Sequence, residues 1–156
     1  MYNQVANNKV KEEEYTIKLR KILDLHFTEV AKKLNVVLSI LPKETKEVEL
    51  TIFLSQEGDG GFSIYVSLRG KELYVLNKPI RSSANIFQVK YTRNGFQPDV
   101  PMMGFEAEFD VNAVLSNIVG EWLLEVWNQA ETKNITLPVT IVAVEGAIQI
   151  LSLKIN

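Results

Sequence analysis

Residues 42–70 read PKETKEVELTIFLSQEGDGGFSIYVSLRG, and the alternation in this stretch points to a sheet-based fold. Val48, Leu50, Ile52 and Leu54 alternate with Glu47, Glu49, Thr51 and Phe53, the period-two pattern of a strand with one buried face. Phe62, Ile64, Val66 and Leu68 repeat the pattern against Ser63, Tyr65 and Ser67. Between the two runs, Gln56-Glu57-Gly58-Asp59-Gly60-Gly61 reads as a turn whose glycines admit positive φ. It does not fit a phosphate loop. No lysine-serine pair follows it, and a strand comes next where such a loop needs a helix N-terminus.

Upstream the period changes. Tyr15, Leu19, Ile22, Leu23, Phe27, Val30, Leu34, Val37, Leu38 and Leu41 recur at helical spacing, which predicts one long amphipathic helix from Lys9 to Leu41, ended by Pro42. His26, the single histidine, falls on the apolar stripe and reads as a partly buried structural residue. Downstream, Arg69-Gly70-Lys71 leads into a third strand, Leu73 to Leu76. A fourth runs from Ile86 to Thr92 and is closed by the turn Arg93-Asn94-Gly95. Phe96 to Gly104, with Pro98 and Pro101, reads as an ordered loop. Asp110 is placed to cap a second helix over 111–129, and Leu137 to Val144 with Ile148 to Ile155 form a closing hairpin about Glu145-Gly146. These elements predict an α+β fold. An antiparallel sheet of about five to seven strands carries the long N-terminal helix and the second helix on one face. Residues 1–156 are expected to form a single domain, with 1–8 flexible.

Composition bounds the function. With 156 residues, 46% of them hydrophobic and 23% charged, the chain has the balance of a globular protein. Seventeen basic against nineteen acidic residues leave a net charge of -2, which argues against a nucleic-acid partner. There are no cysteines, so disulfides, thiolate metal sites and cysteine nucleophiles are excluded. The N-terminus lacks a signal-peptide core, and no run approaches the roughly 18 apolar residues of a membrane span. A cytoplasmic protein with no membrane partner is expected.

No catalytic set emerges. There is no Gly-x-Ser-x-Gly elbow, no Rossmann glycine fingerprint and no cofactor motif. Glu106, Glu108 and Asp110 would share one face of a strand and could gather a hard cation, but alternation with Phe105, Ala107 and Phe109 is the ordinary pattern of a strand with one wet face. No metal site is therefore expected. Lys78, Arg81, Lys90 and Arg93 lie near Tyr74, Phe87 and Tyr91, a mixture that can hold single-stranded nucleic acid, though these charges are few.

The second helix is the most informative segment. Val111, Val114, Leu115, Ile118, Val119, Trp122 and Val126 form one stripe. Ala113, Gly120, Leu124 and Trp127 form another, roughly opposite. The second stripe is either covered within the chain or a contact surface in which small Ala113 and Gly120 allow close approach and Trp127 anchors. The expectation is a non-catalytic protein-binding module that acts as a homodimer or as an inhibitory, immunity-type partner such as small bacterial proteins provide. The alternative is a small-ligand-binding protein or carboxylate-based enzyme, its pocket between sheet and helices near Met102 and Met103.

Overall fold

A computed structural model describes residues 2–104, 106–130, 132 and 134–155, with the backbone alone for residues 2–10. The fold is α+β. Strands β1 (Glu47–Leu54), β2 (Phe62–Arg69), β3 (Asn85–Gln88), β6 (Val139–Glu145) and β7 (Ile148–Lys154) form a five-stranded sheet in the order β3-β2-β1-β6-β7. β4 (Lys90–Thr92) and β5 (Gly95–Gln97) make a separate small hairpin. The helices are α1 (Tyr2–Leu25), α2 (Phe27–Leu38), α3 (Leu73–Asn77) and α4 (Val111–Gln129).

Register follows the alternation. Leu50 pairs with Val66 on one side and Ile141 on the other, and Ile52 pairs with Ile64 and Ala143, so these side chains share the core face. The opposite face carries the Glu49–Arg69 ion pair, the Thr140 hydroxyl donating to Glu47 at 3.0 Å, and an edge-to-face Phe53–Tyr65 pair. Leu19 and Leu23 of α1, Val30, Leu34 and Val37 of α2, and Leu115, Val119 and Trp122 of α4 join the core-facing strand residues in one buried cluster. Among the described residues, no helix is long and apolar enough to cross a membrane.

Four expectations are corrected. The sheet is mixed, because β1 and β6 run parallel. The tight connections argued for a meander, and they do join β1, β2 and the end of the chain in antiparallel pairs. α4, however, supplies a crossover that returns the chain in the direction of β1. The long N-terminal helix is two helices. Its break at His26, φ -103° and ψ 3°, falls where the His26 ring meets Phe87 edge-on and Phe27 meets Trp122. Neither proline nor glycine marks it, so periodicity alone runs straight through.

Residues 73–77 are helix where a third strand was expected. The second half of β2 pairs with no strand on that side. The Asn77 side chain instead accepts from Leu68 N (2.8 Å) and donates to Leu68 O (3.0 Å), standing in for a strand partner. Finally, the run read as a fourth strand is divided into β3 and β4, and the loop after Gly95 opens with β5. The helix over 111–129 does form. Asp110 caps it by accepting from Ala113 N at 3.1 Å.

Candidate functional site

The second stripe of α4 is turned inward. Trp127 is 5% exposed and Gly120 is buried. A Cβ on Gly120 would stand 2.8 Å from Leu151 Cδ2 and 3.6 Å from Leu153 Cδ1, so the glycine lets β7 lie close against the helix. Leu124 packs half-buried on the core, and Ala113 is half-buried as well. Two stripes exist because α4 is packed between α1 and α2 on one side and β6 and β7 on the other. Gly120 and Trp127 are covered within the single chain, the first of the two alternatives that the sequence left open. The outward side of α4 is polar, with Asn117, Glu121, Glu125 and Asn128 exposed, and Glu125 pairs with Arg20 of α1.

Met102 and Met103 do line a cavity, of about 790 Å³, but it lies between α1 and the 94–103 segment instead of between sheet and helices. The segment is held by the β1–β2 turn. Met103 N donates to Asp59 O at 2.7 Å, and Gly60, at φ +95°, lies so close to Pro101 O that a Cβ would come within 2.6 Å. Met102 is exposed and Met103 half-buried.

The other sequence candidates are structural. Asp59 accepts from Gly61 N within the hairpin turn. His26 Nδ1 sits 3.6 Å from Glu29. The segment holding Glu106 and Glu108 is a turn, not a strand. Among the described residues, no group of three or more metal-ligating side chains gathers.

Among the described residues, α3 presents the one consecutive run of exposed large apolar side chains. Leu73, Tyr74 and Val75 are 44%, 68% and 60% exposed, three consecutive large apolar side chains on one turn. Leu76 and Ile80, on the same turn and the following 3₁₀ turn (Lys78–Ile80), are buried and root it in the core. Asn77 ties it to β2 and also donates to Leu73 O at 2.8 Å. Entry into the helix is strained. Glu72 adopts φ 50° and ψ 66°, the left-handed region, which costs a non-glycine residue about 1–3 kcal/mol and is held only where surrounding structure imposes it.

Gly70 is where the 42–46 segment closes on this turn, since a Cβ there would meet Glu44 O at 2.9 Å and Leu76 Cδ2 at 3.0 Å. Between them lies a cavity of about 680 Å³ with an apolar floor of Pro42, Val75, Leu76 and Pro79. Its charged lining is balanced, Lys46 and Lys71 against Glu44 and Glu72, and the basic excess is in the flanking sequence. Segments 42–46 and 71–81 carry Lys43, Lys46, Lys71, Lys78 and Arg81 against Glu44 and Glu72, in a chain whose net charge is -2. The Arg81 guanidinium lies over the Tyr74 ring, 4.6 Å from its centroid, a cation–π contact. One signal was available beforehand: Leu73 to Leu76 is a continuous apolar run without alternation, set between Lys71-Glu72 and Lys78-Pro79. It matches a short buried strand equally well.

A family model described as "Family of unknown function (DUF6389)" matches residues 10–156. No curated protein and no solved structure matches the chain.

Proposed function

The chain belongs to the DUF6389 family of unknown function, and from that premise we propose that it is a non-catalytic protein-binding module of the cytoplasm whose contact surface is α3 with the groove beneath it. The observation that carries this reading is the exposure of Leu73, Tyr74 and Val75 on a turn rooted by Leu76, Ile80 and Asn77. Exposed apolar side chains in sequence, presented on a rigid support, are characteristic of contact sites, and aromatic anchors dominate such contacts. Three adjacent exposed apolar residues also carry a solubility cost that a partner would remove.

The partner is a different protein that presents an acidic, apolar segment. The two segments that form the groove, 42–46 and 71–81, carry five basic residues against two acidic ones, and this basic excess lies outside the charge-balanced lining. An isologous dimer through this face would set one basic rim against another, which disfavours self-association here. An acidic segment meets the opposite field and would place its apolar side chains over Pro42, Val75 and Pro79.

The test is affinity capture with wild type, with Tyr74→Ser/Val75→Ser, and with Ile148→Ser, which removes an exposed apolar residue elsewhere. A stoichiometric acidic partner should be retained by wild type and Ile148→Ser, lost by the α3 double variant, and weakened by salt. A partner held equally by all three proteins would remove α3 from the account.

A further inference from the structure

The turn that joins β4 to β5 holds the one Asn-Gly pair of the sequence, Asn94-Gly95. We infer that Asn94 is a site of covalent self-modification, in which its side-chain amide is lost to the Gly95 backbone nitrogen while the Thr92 hydroxyl restrains the reaction. The Gly95 nitrogen gives up its proton and attacks Asn94 Cγ. A new N–C bond closes a succinimide ring, the Cγ–Nδ2 bond breaks, and the amide leaves as ammonia with that proton. Water then opens the ring at either carbonyl, giving aspartate or isoaspartate. Water is the only co-reactant.

Three features favour this position. Asn94 is exposed, so water reaches the ring and ammonia leaves freely. Gly95 brings no Cβ to crowd the attack, and a Cβ built there would meet nothing within 4 Å, so no neighbour blocks the approach. Gly95 also sits at φ +102°, a conformation open to glycine and strained for other residues. Other exposed asparagines lack this combination. Asn117 and Asn128 lie within α4 and precede Ile118 and Gln129. Asn134 lies in a turn, but β-branched Ile135 follows it and Ile135 N already donates to Thr132 O at 3.0 Å.

Thr92 is the restraint. Its hydroxyl donates to Gly95 O at 2.8 Å and accepts from Asn94 N at 3.2 Å, so it holds both residues of the reacting pair. Gly95 is paired with Thr92 across the turn, and ring closure requires that pair to open. β4 and β5 are three residues each and form a sheet of their own, and a two-stranded ribbon of that length opens readily. The isoaspartyl product adds a carbon to the backbone inside this turn. It therefore works against the Tyr91–Phe96 pairing that sets buried Phe96 in place.

The test holds the full chain in mildly alkaline buffer and follows each asparagine by peptide mass spectrometry, with isoaspartyl methyltransferase labelling to detect isoaspartate. Asn94 should convert at least about ten-fold faster than Asn134, and faster as the pH rises, because the attacking nitrogen must lose its proton. Gly95→Ala should slow conversion toward the Asn134 rate. Thr92→Val should speed it by about two- to ten-fold, the range that the net strength of a hydrogen bond allows. Conversion of Asn94 no faster than Asn134, aspartate formed without isoaspartate, or an unchanged rate in either variant would overturn the assignment. None of these outcomes bears on α3.

Discussion

Asn77→Ala should destabilise the protein by about 2–4 kcal/mol, although the residue is only half-buried and lies outside the strands. The Asn77 amide accepts from Leu68 N at 2.8 Å and donates to Leu68 O at 3.0 Å, and Leu68 is buried. Truncation orphans both backbone groups of a buried residue at about 1–3 kcal/mol each. The third bond, to Leu73 O, is exposed and adds little. Water entering the gap brings the total below the sum of the maxima.

Asn77→Asp sharpens the test. It keeps the acceptor for Leu68 N but turns a carboxylate oxygen toward the carbonyls of Leu68 and Leu73, so at neutral pH it should cost at least as much as alanine. Protonation restores a donor, and the aspartate variant should regain stability relative to alanine as the pH falls through the carboxylate range. Urea denaturation at constant m reads all three proteins. A loss below about 0.5 kcal/mol in Asn77→Ala, or an aspartate variant more stable than alanine at neutral pH, would show that this amide does not hold α3 to β2.

Trp127→Ala should cost about 3–5 kcal/mol in the same assay, the range for a buried aromatic; a cost under about 1 kcal/mol would return Trp127 to the surface. Gly120→Ala should fall within about 1 kcal/mol of wild type, because the gain in helix propensity offsets the contact with the mobile end of Leu151. Gly120→Val, which cannot be accommodated by one methyl swinging aside, should cost more than about 2 kcal/mol and displace β7. Burial pushes the Tyr15 hydroxyl up from its ordinary value of about 10. A raised value in the folded state gives stability that is fully present below about pH 10 and lost as the pH rises beyond it, since the unfolded chain releases its proton first. Wild type should therefore lose stability above about pH 10 relative to Tyr15→Phe, and parallel pH curves for the two proteins would contradict the assignment.

What the sequence made legible were the elements whose local pattern and tertiary fate agree. The alternation in Glu47–Leu54 and Phe62–Arg69, the Asp110 cap and the final hairpin each follow from side-chain period or turn chemistry, and the structure realises them. The elements that differed are those settled by partners far away in sequence. The break at His26 depends on Phe87 and Trp122, and the parallel pairing of β1 with β6 depends on where α4 returns the chain. Leu73 to Leu76 has the composition of a buried strand, and only Asn77 taking the backbone of Leu68 makes it an exposed turn. The candidate site was hidden for the same reason. An apolar run does not announce that it will face solvent, and the second stripe of α4, readable as core or as contact surface, is covered within the chain at Gly120 and Trp127. Met102 and Met103 were read into a pocket between sheet and helices, whereas the groove they line has α1 as its other wall, a neighbour that no local pattern reveals.

The most direct measurement is site-specific photo-crosslinking in the source cell, with a benzophenone side chain in place of Tyr74 in one protein and of Ile148 in another. Both positions are exposed, and only the first lies on α3. The account predicts one dominant adduct from position 74, to a protein whose crosslinked segment is acidic and apolar, and no such adduct from position 148. An adduct pattern shared by both positions, or a position-74 adduct to a second copy of this chain, would contradict it.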